Sequence, residues 1–154
     1  MRHLIALISM VWATQANADT LNLVCLGAGA ATRFSNTQVW GGNSNGTTAW
    51  ANGLSERSVG FDDQVTLELD GSTGRIRMPR AMLPRIRGGK DGWFEVKDVR
   101  FAENEITGTV QVSVLNSPKL RVDRLQGMIS ISGKSGDFSG RCEAFDPAAV
   151  QRRF

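Results

Sequence analysis

Between Arg75 and Lys90 the chain carries six basic side chains and no acidic one: Arg75, Arg77, Arg80, Arg85, Arg87 and Lys90. Five are arginines, whose planar forks grip phosphate or carboxylate through paired hydrogen bonds. Pro79 and Pro84 stiffen the segment and lower the entropy lost in presenting those side chains. The stretch predicts a contact for an anionic partner: a lipid headgroup phosphate, a wall carboxylate or an acidic protein surface. The competing reading is a solvated strand face whose arginines pair with Asp62, Asp63, Glu68 or Asp91. Exposed pairs contribute little, so pairing alone does not account for the clustering.

Trp40 and Trp50 form a second candidate surface. They sit in a near-repeat, Thr37-Gln38-Val39-Trp40 and Thr47-Thr48-Ala49-Trp50, separated by Gly41-Gly42-Asn43-Ser44-Asn45-Gly46. Such a pattern is compatible with a hairpin arm. Tryptophans among amides suit a sugar-binding surface; the other reading has both rings capping the open end of a barrel. Leu26-Gly27-Ala28-Gly29-Ala30-Ala31 lacks the third glycine and the βαβ unit of a dinucleotide loop.

The rest of the catalytic inventory is thin. The single histidine is His3, inside a segment that reads as a secretory signal. That segment has a basic start, an apolar run Leu4–Ala13 and the small-x-small site Ala16-Asn17-Ala18. Residues 1–18 are therefore expected to be cleaved, leaving 19–154 as one domain of 136 residues with no histidine and no tyrosine. Carboxylates such as Asp62, Asp63, Glu68, Asp91, Glu95, Asp98 and Glu105 offer an acid–base pair in principle, but no spacing marks two of them. No catalytic residue, metal-ligand set or cofactor is expected. Cys25 and Cys142 are the only cysteines, and in an oxidising compartment they are expected to pair.

Without Arg2 the chain has 17 basic against 15 acidic residues, too balanced for a general nucleic-acid binder. No apolar run after residue 18 is long enough to cross a bilayer as a helix. The terminal Phe154 is shared with outer-membrane barrels, but Val150–Phe154 lacks the alternating apolar face of their last strand.

The elements that must position these residues are strands. Leu21, Leu23 and Cys25 alternate, as do Val65, Leu67 and Leu69, and Asp70-Gly71-Ser72-Thr73-Gly74 turns the chain into Arg75–Met78. Ile106, Val110, Val112 and Val114 predict one strand through 106–114, and Phe138, Gly140, Cys142 and Ala144 share a face of the last. The broken alternation between Val96 and Val99 predicts a bulge near Lys97-Asp98. Turns are expected at Glu103-Asn104, Asn116–Pro118, Asp123–Gly127 and Gly133–Gly136, and one helical turn at Arg80–Leu83. The sum is an all-β domain, a small antiparallel barrel or sandwich of about eight strands ending in a meander and closed by one disulfide.

Val122-Asp123-Arg124-Leu-Gln-Gly127-Met-Ile-Ser-Ile-Ser, followed by Gly136-Asp-Phe138-Ser-Gly140-Arg-Cys142-Glu, resembles a turn-and-strand pattern of small exported proteobacterial proteins, alphaproteobacterial ones especially. Gly74-Arg-Ile-Arg-Met-Pro-Arg and Gly89-Lys-Asp-Gly-Trp-Phe are similar to that group too. The resemblance covers the chain from about residue 60 and implies a bacterial envelope location, periplasmic or secreted, without an activity. In architecture the chain also resembles the periplasmic inhibitors of c-type lysozyme, small β-barrels with a cysteine in the first strand and one near the C-terminus. It lacks the tyrosine of their inhibitory loop, and Asn52-Gly53-Leu54-Ser55-Glu56 is a poor match. The expected function is a non-enzymatic binding module for an anionic envelope component or acidic protein. The alternatives are a carboxylate-based hydrolase of an envelope polymer, or a lysozyme-inhibitor-like, assembly or structural factor.

Overall fold

The computed structural model describes residues 20–85, 87–146 and 149. Eight antiparallel strands follow in chain order: β1 (Thr20–Gly42), β2 (Thr48–Asp70), β3 (Thr73–Arg77), β4 (Trp93–Phe101), β5 (Glu105–Val110), β6 (Lys119–Asp123), β7 (Met128–Gly133) and β8 (Gly136–Ala144). Each pairs with its neighbour in sequence, and β8 returns to β1 to close a barrel. The Cys25–Cys142 disulfide joins directly opposite residues across that closing seam. The expected signal segment 1–18 lies outside the described residues.

Period-two alternation decides which side chains go inside. Cys25, Val65, Leu67, Ile76, Val96, Ile106, Ile129, Ile131 and Phe138 are buried, each worth roughly 1.5–3 kcal/mol of apolar transfer for the larger side chains. Their outward neighbours Arg75, Arg77, Glu95, Lys97, Lys119 and Arg121 are exposed. Apolar inside and polar outside is the reverse of a barrel that faces lipid along its strands.

Local turn chemistry follows the sequence closely. The ladder between β4 and β5 slips between Lys97 and Arg100, with Asp98 at φ 54°. The extra residue lets both Val96 and Val99 face the core. Asp123 accepts hydrogen bonds from the N–H groups of Leu125 and Gln126, both at 2.9 Å, and Gly127 takes φ 64°. Pro79 leads into a 3₁₀ turn at Arg80–Met82.

Two elements differ from expectation. The strand predicted through Val114 stops at Val110. There the Val110 N–H donates to the Pro118 carbonyl at 2.9 Å, and proline has no N–H to return. The chain leaves the sheet as a loop over 111–118, in which Val112 is still buried but Val114 is fully exposed.

The larger difference is the length of β1 and β2, 23 residues each. β8 covers β1 only as far as Ala31, and β3 covers β2 only from Thr66 onward. Beyond the barrel the two strands pair with each other alone, from Arg33↔Arg57 to Gly42↔Thr48. Those ten pairs form an arm roughly 30 Å long at about 3.4 Å per residue. Every residue from 33 to 60 is exposed. Asn43 ties the tip, its side-chain oxygen accepting from the N–H groups of Asn45 (3.2 Å) and Thr47 (3.0 Å).

Candidate functional site at the arm end of the barrel

The register brings four connections to one end of the barrel: the arm, the β3–β4 segment, the β5–β6 loop and the β7–β8 turn. Hydrogen bonds knit them together. The Thr32 N–H donates to the Ser135 carbonyl at 3.1 Å, and Asn116 Nδ2 donates to Ser135 Oγ at 2.8 Å. The Gly88 N–H donates to the Val112 carbonyl at 2.9 Å. Asn116 Oδ1 is buried among these loops without a protein partner.

The β3–β4 segment sorts its residues by chemistry. Met78, Met82 and Leu83 turn inward and plug the barrel end. The alternative reading of Trp40 and Trp50 as barrel caps is therefore corrected: that place is filled by the methionines and Leu83. The tryptophans stand out on the arm, directly opposite each other and 72% and 63% exposed.

Plugging the barrel with the apolar members leaves the cationic ones outside. Arg77, Arg80, Arg85 and Arg87 line an open hollow of about 1070 Å³, walled by Gln64 and Thr66 of β2 and by the Gly88–Gly89 backbone. Arg87 Nη1 donates to the Pro84 carbonyl at 3.0 Å. Among the described residues, none of these four arginines has a carboxylate within ion-pair distance. Asp63 and Asp91 also line the hollow, both exposed.

The other two members of the cationic stretch are placed differently. Arg75 Nε meets Glu68 Oε2 at 2.5 Å, and its guanidinium lies over the Trp93 ring, 4.9 Å from the centroid. The pairing expected of a solvated strand face is thus realised at Arg75. Lys90 is exposed, and its backbone makes an antiparallel bridge to Trp93. Away from the arm end, Arg121 is also matched. Arg121 Nε donates to Glu105 at 2.7 Å, and that hydrogen bond, reinforced by the carboxylate's charge, raises the guanidinium pKa above its ordinary value.

Three features of this end are invisible to sequence reasoning. Arg33 and Arg57 are 24 positions apart yet directly opposite at the arm root, where like charges repel. Val114 and Leu115, 100% and 79% exposed, form an apolar tip on the loop that the Gly88 N–H ties to the arginine segment through the Val112 carbonyl. Lastly, the arm's aromatic side chains and Leu54 are sorted onto one face, with Val39 alone of the large apolar side chains on the other. Paired positions share a face, so Phe34 (opposite Glu56), Leu54 (opposite Asn36), Trp40 and Trp50 all point the same way.

Chemically, the arrangement can hold an anion against several guanidinium groups at once. General acid catalysis by a carboxyl group draws on burial or a close like charge, and neither Asp63 nor Asp91 is buried. Among the described residues there is no group of three or more His, Cys, Asp or Glu that could hold a metal ion. Compared with known proteins, the chain matches no family model, no curated protein and no solved structure. No helix among the described residues is long and apolar enough to cross a membrane. The disulfide is compatible with an exported protein.

Proposed function

We propose that this protein is a non-catalytic binding module of the bacterial envelope that captures an anionic component in the hollow lined by Arg77, Arg80, Arg85 and Arg87. One observation carries the reading: four arginines converge on a single open hollow, and none is neutralised by an ion pair among the described residues. Holding like charges together costs free energy, which an anionic ligand relieves. Export to the envelope is supported by the signal-like N-terminus and the disulfide.

The test is capture from envelope extract. The chain from Asp19 should retain an anionic component, and retention should weaken as salt rises, because exposed charges are screened over about 8–10 Å at physiological ionic strength. The triple change Arg77→Ser, Arg80→Ser and Arg85→Ser should abolish retention while shifting stability by only about 0.5 kcal/mol per site. Arg75→Ser is the control: it removes a cation already engaged by Glu68 and Trp93, and capture should persist. A triple variant that folds and captures as before overturns the reading.

The open edges of the arm favour a second reading, an assembly factor that lends a strand pair to a partner protein. It expects the opposite outcome: capture lost on deleting the arm and kept in the arginine variant.

A further inference from the structure

We infer that the arm end of the barrel is a membrane-docking surface: the apolar face of the arm lies in the headgroup region of a bilayer while the arginine-lined hollow engages anionic phospholipid headgroups. This rests on the proposed function and names its ligand class.

The arm needs an explanation in its own right. A lone two-stranded ribbon is marginally stable in water, because it has no layer to bury a face against. Here ten pairs project beyond the barrel, and every residue from 33 to 60 is exposed. The face bearing Phe34, Leu54, Trp40 and Trp50 runs from the Phe34–Glu56 pair to the Trp40–Trp50 pair, roughly 20 Å at about 3.4 Å per residue. Its polar members are mostly amides, Asn36, Gln38 and Asn52, with Glu56 the one carboxylate. Tryptophan beside amides suits the membrane interface, where a ring meets apolar chains and its N–H meets headgroups and water. The opposite face carries Ser35, Ser55, Thr37, glycines and alanines, with Val39 its one large apolar side chain and Arg33 and Arg57 at its root. A ribbon so divided matches a surface with an apolar interior and a polar rim.

The same occupant accounts for the rest of this end. Val114 and Leu115 project as a second apolar tip. The Gly88-to-Val112 hydrogen bond ties their loop to the arginine segment. Arginines that carry no ion pair among the described residues then meet the phosphates. A protein groove could cover the arm, and a small anion could fill the hollow. A partner that meets the arm, the loop tip and the arginines together has to be broad, apolar beneath and anionic at its surface. A bilayer containing anionic lipid has all three properties. Two weak signals acting together are also what stable peripheral attachment requires, since one alone gives marginal, reversible binding.

The experiment uses the chain from Asp19 with Trp93→Phe, so that Trp40 and Trp50 are its only indoles, and two vesicle preparations. One is phosphatidylcholine alone; the other contains about a third phosphatidylglycerol, enough to give a strongly negative surface. Wild-type arm and arginines should co-sediment with the anionic vesicles and weaken with salt. The indole emission should shift to the blue and be quenched by lipids brominated near the headgroup. Trp40→Ser with Trp50→Ser should lower partitioning roughly tenfold or more. The arginine triple variant should lose the preference for anionic vesicles. The double tryptophan variant should fold, since neither ring touches the barrel. An arm-deleted chain, with Thr32 joined to Ser58 through Asn-Gly, gives the same comparison by a second route.

Absence of binding to anionic vesicles overturns the inference. So does unchanged binding by the tryptophan and arm-deleted variants, or a blue shift that arises without lipid from an arm-mediated dimer. If envelope capture still depends on the arginines while vesicles are ignored, the anion-binding reading stands and the lipid assignment alone fails.

Discussion

Reducing the Cys25–Cys142 bond should remove several kilocalories per mole of stability. The two cysteines are 117 residues apart in sequence, so the bond encloses nearly all of the described chain. In the chain-entropy treatment a loop of that length is worth about 4–5 kcal/mol, an upper value because the reduced unfolded chain keeps some structure. For a domain of this size that corresponds to a fall in melting temperature of about 15 °C at most. The position strengthens the expectation. An up-and-down barrel has one seam where its first and last strands must find each other, and the bond sits within it, pairing directly opposite residues of β1 and β8. Seven other strand pairs form between sequence neighbours, so the seam is the longest-range contact in the fold. Thermal melts with and without a reductant measure the effect. Reduction compares oxidised and reduced chains without deleting Cys25, which is fully buried and whose replacement would add a packing loss. A melt unmoved by reduction would mean that the strand ladder alone holds the seam.

The parts of the fold that could be read from the sequence are those written in two-residue alternation and in turn chemistry. Both cysteines, the core faces of β2 and β8, the bulge at Asp98 and the positive φ of Gly127 are local consequences of residue type. The arm could be read only in part. Its tip announces itself through Gly42, Asn43 and Gly46, but residues 33–60 carry no sustained apolar alternation because they cover no core. The near-repeat around Trp40 and Trp50 is compatible with a hairpin arm, and the two pair as one; what composition does not reveal is that the β1–β2 ladder runs unbroken from the barrel to that hairpin. The candidate site was half legible for a related reason. Five arginines in one stretch look equivalent along the chain. Register separates them, setting Arg75 opposite Glu68, whereas the 3₁₀ turn and the methionine plug carry Arg80, Arg85 and Arg87 to the hollow beside Arg77. Arg33 with Arg57, and the tie between the Val114–Leu115 loop and the arginine segment, arise only from pairing across distant segments.

Gly29→Val should be a strongly damaging substitution on the closing seam. Gly29 of β1 lies opposite Phe61 of β2 on one side and Phe138 of β8 on the other, and all three face the barrel interior. The two rings lean over the glycine and stack, with centroids 6.3 Å apart and planes 15° from parallel. A glycine in a strand weakens it by leaving nothing to pack; here the neighbouring aromatics fill that space. A Cβ at position 29 would meet Phe61 Cζ at 2.7 Å and collide with the Asp137 carbonyl, which is backbone and cannot swing aside. Valine adds two methyl groups to that collision. The cost should reach about 3 kcal/mol or more, at the upper end for overpacked cores. Gly53→Val is the matched control: its Cβ would find only the Thr37 carbonyl at 3.7 Å, an ordinary contact, and the arm buries nothing there. Its effect should stay within about 0.5 kcal/mol. Urea denaturation of the two variants with the disulfide intact makes the comparison. A double-mutant cycle with Phe61→Ala then separates the ring contact from the backbone clash, since residues that touch are non-additive by about 0.5–3 kcal/mol. Removing the Phe61 ring should recover part of the valine penalty and leave the part due to Asp137. Strict additivity would show that the rings are not packed over Gly29, and an indifferent Gly29→Val would show that the seam is far looser than these contacts require.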